Sequence, residues 1–526
     1  MPLTMPSWIS HQPIVELLPI ELPLPSLDDN IGDLDRLLRS LKQKGFDPVR
    51  FLPSQINHFA RQIRLGQFKI TVALGYHLCH WELIEVYAGL DRHPVLGFAV
   101  DLGSSRICFY LLDLHSCEVL AERSVPNPQI PYGEDILTRI LFARKARNLK
   151  LLQRLLLNTF NQTMQNMLDS LGFSSMNVLA LAVAGNTTMS HFFMGIDPAN
   201  ICREPYIPMV NQFPLSHAAD LKLSAHPLAP LYLLPNVGSY FGGDLIADIL
   251  SVGLHRSDEL SILVDVGTNA EVVLGNRDWL IACAGAAGPA LEGGVVERGM
   301  MALPGAIDRV RIDRQTLKPS YHVLGEGKAA GICGSGLIDL FAEMFMSGIL
   351  TVQGKINRKI HSSNIVDTPD GVAYVVATSE ETIDGQDLLI SEIDIGIFLK
   401  SKAAMYTILT VITRKVGLEL DDLKRFYVAG AFGNYIDPLM GVKIGMLPDL
   451  PLESYRGIGD TVGCGAAMTL IDRATLHEIE RICRQITYIE LNVNVELMNE
   501  FRGALFLPHT DPRLFPSVRI PNGALC

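Results

Sequence analysis

Two stretches of the chain share one pattern of apolar and polar positions. Gly97 to Leu112, GFAVDLGSSRICFYLL, is apolar on both sides of a DLGSS break, and Val264 to Leu274, VDVGTNAEVVL, repeats the design. Aligned, Asp101 matches Asp265, Gly103 matches Gly267 and Ser104 matches Thr268. The pattern predicts two β-hairpins, one opening each half of the chain, and two lobes built on one plan. Between them the spacing predicts a long helix from about Glu134 to Ser170, a strand at VLALAVAG, a Pro-rich irregular region and a short helix at DLIADILSVG.

The start of the chain reads differently. Six prolines within residues 1–26 disfavour helix and predict an extended linker arm or docking strand. The following DDNIGDLDRLLRSLKQKG predicts a helix capped by Asp28 or Asp29, with Ile31, Leu34, Leu37, Leu38 and Leu41 as its apolar stripe and Gly45 at its end. With strand-like FKITVALGY and HWELIEVYAG, residues 27–94 form a small α/β unit.

Composition narrows the class. A chain of 526 residues exceeds what one core supports, and 48% hydrophobic against 19% charged residues is the balance of a well-packed protein. The net charge of -12 argues against broad nucleic-acid binding, which needs a basic face. No run of 18 apolar residues appears, and the first twenty residues lack the basic start of a secretory signal. The expectation is therefore a cytoplasmic protein with no membrane partner. Nine cysteines (Cys79, Cys108, Cys117, Cys202, Cys283, Cys333, Cys464, Cys483 and Cys526) show no CxxC or other close ligand spacing, so buried, reduced thiols are expected rather than disulfides or a metal cluster.

The two hairpins carry candidate chemistry. Glycine lets backbone N–H groups approach phosphate oxygens, the next hydroxyl donates to them, and the carboxylate holds Mg2+ directly or through its waters. An ordinary tight turn explains either hairpin alone; two of them can close on one triphosphate. Three glycine clusters follow: AGAAGPALEGG (Ala284 to Gly294), GICGSGLIDL (Gly331 to Leu340) and FYVAGAFGNYID (Phe426 to Asp437). The last two offer a flat, side-chain-free surface for adenosine, or else close helix packing. The small-residue segments GGDLIADIL and GDTVGCGAAMTLID predict two helices that cross closely. Asn186 reads as a helix cap or a polar site residue, Glu292 as a loop acid or a site residue, and His191 as a core histidine rather than a ligand.

This order of hairpin, crossing helix, hairpin, adenosine glycines and second crossing helix resembles the ASKHA superfamily of sugar kinases, chaperone ATPases and actin. The resemblance implies an α/β fold: a two-lobed, actin-like ATPase domain with ribonuclease-H-like lobes over 95–526, preceded by the small α/β domain 27–94 and the arm 1–26. Lobe one would take about 95–241 plus 473–526, lobe two about 254–459, and the crossing helices about 242–253 and 460–472. AGNTTMSHFFMGIDP, GAAGPALEGG, GICGSGLIDL, SEIDIGIFLKSKAAM, VAGAFGNYID, KIGMLP and FLPHTDPRLFPSV resemble more closely the ATP-dependent reductive activators of corrinoid proteins.

That resemblance implies ATP and Mg2+ as cofactors and a corrinoid protein as partner, reduced from cobalt(II) to cobalt(I). It also implies a homodimer. Asp101 and Asp265 would be catalytic and hold Mg2+. Gly103, Ser104 and Ser105, with Gly267, Thr268 and Asn269, would hold phosphates. Asn186 and Asp244 would face the cleft, and Gly334, Ser335, Gly336, Gly430, Phe432 and Gly433 the adenosine. Asp460 stands where the family more often has Asn. The clustered cysteines of the family's iron–sulfur domain are absent, so no cluster is expected in this chain and a separate low-potential donor would supply the electron. A small-molecule kinase, for which no general base stands out, and a nucleotide-dependent scaffold without useful turnover are the alternatives.

Overall fold

In the computed structural model the Pro-rich arm is built into a sheet. The described residues are 5–133, 135–267, 269–286, 296–369, 371–430, 433, 436–489 and 495–525. They divide into two compact units, one of residues up to Gly253 with Thr461–Gln485, the other of Leu254–Asp460 with the residues from Ile486 onward.

Unit one begins with β1 (Val15–Glu21), α1 (Asp33–Gln43), β2 (Val49–Arg50), α2 (Ile56–Leu65), β3 (Lys69–His77) and β4 (His80–Ala88), whose strands take the order β1-β3-β4-β2. Residues 15–21 of the arm are thus an edge strand, antiparallel to β3, and an edge is where Pro19 is tolerated. The cap expected for α1 at Asp28 or Asp29 is not the observed one. The helix starts after Gly32, and Asp29 instead receives the guanidinium of the buried Arg36. Leu37 and Leu41 carry the buried part of the stripe.

The larger sheet of unit one is made of β5 (Leu96–Leu102), β6 (Arg106–Asp113), β7 (Glu118–Pro126), β8 (Val178–Gly185), β9 (Ser216–His217) and β10 (Pro230–Leu233), ordered β7-β6-β5-β8-β10-β9. The expected helix over 134–170 is two helices, α3 (Ile136–Ala143) and α4 (Ala146–Leu171). Extended backbone at Lys145 separates them, and Asn148 donates to the Phe142 carbonyl, satisfying the end of α3. α5 (Thr187–Met194) and the short α6 (Ala218–Leu221) follow, then α7 (Gly243–Val252). α7 crosses the helix Thr461–Ile471 at backbone distance: a Cβ on Gly465 would come 2.4 Å from the Ala247 carbonyl oxygen. Thr461 donates to the buried carboxylate of Asp248 across the same crossing.

Unit two repeats the plan. β11 (Ser261–Val266), β12 (Asn269–Gly275) and β13 (Leu280–Ala286) are followed by two three-stranded sheets, β14 (Ala306–Ile312), β15 (Pro319–Val323), β16 (Gly331–Ile332) and β17 (Ile365–Thr368), β18 (Gly371–Ala377), β19 (Leu388–Ser391). α8 (Gly334–Met346) lies between them, and α9 (Glu392–Lys415) starts at a capping box of Ser391 and Asp394. β20 (Arg425–Ala429), β21 (Tyr455–Gly459) and β22 (Ile486–Tyr488) complete the main sheet, ordered β21-β20-β11-β12-β13-β22. In both units a first strand pairs antiparallel with the second arm of its hairpin and parallel with a later strand: β5 with β6 and β8, β11 with β12 and β20.

Two further expectations are corrected. Residues 473–485 stay with unit one, but the chain from Ile486 onward belongs to unit two, not lobe one. β22 extends the sheet beside β13, and Lys402 of α9 donates to the carbonyls of Ala504, Phe506 and Pro508 at 2.6, 2.8 and 2.5 Å. The described cysteines are not uniformly buried: Cys283, Cys333 and Cys464 are, whereas Cys79 is exposed at the β3–β4 turn. α9 is long and apolar enough to cross a membrane by composition, but 78% of its most apolar window is buried inside the protein, as a core helix.

Candidate functional site

β5 is buried except at Asp101, and β11 is buried except at Asp265, so the aligned aspartates hold the same place in their strands. Each lies at the carboxyl end of a strand that pairs in parallel with another, β8 or β20, which is where ligands meet open α/β sheets.

In unit one the sheet ends gather six of the predicted residues. Asp101 stands opposite Ala184, one residue before Gly185 ends β8 and two before Asn186. Asn186 caps α5, its Oδ1 accepting from the Met189 N–H at 2.9 Å, so the capping role is real. A Cβ on Gly242 would come 2.3 Å from Asn186 Cα, so α7 begins backbone against backbone beside it. That contact brings Asp244, in the first turn of α7, to the same end as Asn186. Between β5 and β6 lies the turn of Gly103, Ser104 and Ser105. A Cβ on Gly103 would lie 2.5 Å from the Arg106 carbonyl oxygen, which leaves glycine as the residue that fits.

Two buried residues that sequence reasoning missed hold this turn from behind. Asn127 is 2% exposed; its Nδ2 donates to the Gly103 carbonyl and its N–H to the Ser105 carbonyl, both at 2.9 Å. Arg139, fully buried on α3, donates from Nη1 to the Ser104 carbonyl and from Nε to the Gly133 carbonyl, both at 2.7 Å. Burial pushes the Arg139 guanidinium below its ordinary pKa, partly offset by Asp135. The available signal was a charged residue three places after Ile136 and one before Ile140, on the apolar side of a helix.

In unit two Asp265 meets the turn after β20. A Cβ on Gly430, whose φ is +73°, would come 2.9 Å from Asp265 Oδ1. Gly267 follows β11, and Asn269 opens β12. Gly334, Ser335 and Gly336 form the first turn of α8, where a Cβ on Gly336 would meet the Ile307 carbonyl oxygen at 2.3 Å. A Cβ on Gly433 would meet the Val428 carbonyl oxygen at 2.1 Å. Close packing thus accounts for Gly336 and Gly433. Asp460 directly follows β21. Thr268, Glu292, Phe432 and the side chain of Asn269 lie outside the described residues. His191 is fully buried in α5 with Nδ1 against the Thr187 carbonyl at 2.7 Å, and burial lowers its pKa, as fits a core histidine.

Comparison with known proteins accounts for nearly the whole chain. Residues 7–93 match the RACo linker region, 96–257 the RACo middle region, and 259–519 the C-terminal domain of RACo, the ASKHA domain. The corrinoid activation enzyme RamQ of Eubacterium limosum is 28% identical over 479 residues, 89% of this chain and 79% of its own. The Co(II) methylated amine-specific corrinoid protein reductase of Methanosarcina barkeri is 24% identical over 422 residues, 74% of this chain and 73% of its own. The solved structure of a reductive activator for corrinoid, iron-sulfur protein superposes with a TM-score of 0.88 at 36% identity, covering 98% of this chain and 82% of that one. The repeated sheet plan and this likeness bear out the two-lobed ASKHA fold. On these grounds the chain belongs to the RACo family, the reductive activators of corrinoid proteins built on an ASKHA ATPase domain.

Proposed function

We propose that this protein binds Mg-ATP and uses it to bring a docked corrinoid protein from cobalt(II) to cobalt(I), one electron coming from a separate low-potential donor. The observation that carries this reading is the gathering of Asp101, the Gly103–Ser105 turn, Asn186 and Asp244 at the carboxyl ends of β5 and β8. The donor set fits the ligand: a tight glycine turn that admits no side chain at Gly103, two adjacent serines, and carboxylates on neighbouring elements. Bound Mg2+ supplies charge neutralisation of the phosphates.

In this reading Asp101 and Asp265 hold the metal directly or through water and orient the attacking water. Gly103, Ser104 and Ser105 would donate to phosphate oxygens, and Gly267, Thr268 and Asn269 are assigned the same role. Asn186 and Asp244 complete the polar wall, while Gly334, Ser335, Gly430 and Phe432 take the adenosine; Gly336 and Gly433 let those backbones approach. Lobe closure does work only as far as ATP binds the closed state better than the open one. Each 59 mV of unfavourable potential asks about 1.4 kcal/mol of that difference. The cytoplasmic homodimer is part of the same reading, and the mass in solution tests it.

The direct test incubates the protein with Mg-ATP, a corrinoid protein and a low-potential reductant while the cobalt(II) absorption is followed. Loss of that band only when ATP is present is the expected result. An unchanged band across candidate corrinoid partners, with a phosphorylated small molecule formed instead, would overturn it.

A further inference from the structure

We propose that Arg139 and Asn127 are positioning residues that aim the backbone amides of the first hairpin at the phosphates. This rests on the nucleotide reading given above and deepens it. Three consecutive carbonyls, those of Gly103, Ser104 and Ser105, are drawn inward by buried donors: Asn127 Nδ2, Arg139 Nη1 and the Asn127 N–H. In a trans peptide the carbonyl and the following N–H point in opposite directions. Fixing the Gly103 and Ser104 carbonyls inward therefore turns the N–H groups of Ser104 and Ser105 outward, the arrangement that makes an anion-binding concavity, while the Ser105 carbonyl ties the base of the turn to β7. Within the described residues the Ser104 and Ser105 N–H groups have no backbone acceptor.

The same two side chains reach the second part of the site. Asn127 Nδ2 and Arg139 Nη1 each lie 3.8 Å from the Met189 sulfur, and the Met189 N–H is the group that Asn186 caps. Arg139 is held in its own place by the Gly133 carbonyl, beside a glycine at which a Cβ would meet the Arg139 nitrogen at 2.8 Å. The hairpin and the Asn186 cap are thus hung on one buried frame. A lysine at 139 keeps the cation but lacks the guanidinium fork that bonds two carbonyls at once.

The test compares the full-length wild type with Arg139→Met, Arg139→Lys and Asn127→Ala, measuring affinity for Mg-ATP and, separately, for adenosine, with a melting curve for each variant. Expected for Arg139→Met and Asn127→Ala is a loss of at least tenfold in Mg-ATP affinity with adenosine affinity unchanged within twofold, and partial recovery in Arg139→Lys. Mg-ATP affinity equal to wild type in the folded variants overturns the proposal. So does a parallel loss of ATP and adenosine binding, the mark of a merely structural role. Should Arg139→Met fail to fold, Asn127→Ala decides by the same criteria. A wild type that binds no Mg-ATP overturns the nucleotide reading itself, a result distinct from a variant that binds normally.

Discussion

Asp101 and Asp265 are each the partly exposed position in an otherwise buried strand, and that is why they could be found from pattern alone: an apolar run interrupted by one carboxylate is a local signal. Asn127 and Arg139 could not be found that way, because their bonds to the hairpin span 24 and 35 residues and only folding brings the partners together. Gly430 is intermediate. Its cluster was visible, but its reason, a φ of +73° beside the Asp265 carboxylate, belongs to the fold. Gly430→Ala is expected to cost about 1–2 kcal/mol from the left-handed backbone. It should also displace Asp265, so ATP hydrolysis falls at least tenfold while the fold survives, as a melting curve alongside a phosphate-release assay would register.

At the scale of elements, the two small-residue helices cross as their composition implies, and the contact is backbone on backbone. Gly465→Leu would drive its side chain into the Ala247 carbonyl, which cannot yield as a flexible side chain would. Denaturant unfolding should give a loss of about 1–3 kcal/mol. The docking of the small sheet on the β9 edge was not legible, since it depends on the Glu82 carboxylate meeting an imidazole 135 residues away, that of His217. Glu82 of β4 meets His77 at 3.0 Å and His217 at 2.9 Å, with His80, Arg50, Asp220 and Tyr232 as the other polar groups around them. Burial alone would raise the Glu82 pKa, but hydrogen bonds from His217 and His77 outweigh it and hold it at about 2, below its ordinary 4.5. The hydrogen bond to Glu82 raises His217 above its ordinary 6.5, against the opposing effect of burial. The glutamate's contribution is therefore present above about 4.5 and lost toward about 2. That of His217 is full below about 6.5 and lost as pH rises through its raised value. Wild-type melting temperature should fall between pH 6 and 9 by more than that of Glu82→Gln, and Glu82→Gln should cost about 1–3 kcal/mol at pH 6.

For the whole molecule, ligand linkage gives the broadest check. Saturating Mg-ATP at a hundred times its dissociation constant should stabilise the native protein by about 2.7 kcal/mol. Asp265→Ala should remove most of that increment while leaving the ligand-free melting temperature within a few degrees, readable in thermal scans with and without nucleotide. What the sequence by itself determined was the pair of hairpins, the crossing helices and the family, because each is written in short contiguous runs whose spacing follows backbone period and glycine sterics. Only the tertiary structure decided that residues 15–21 of the arm are a sheet strand, that the chain from Ile486 joins unit two, and that a buried arginine and asparagine stand behind the first hairpin. Those outcomes turn on which distant donor meets which unpaired carbonyl, and no local pattern of apolar and polar residues encodes that choice.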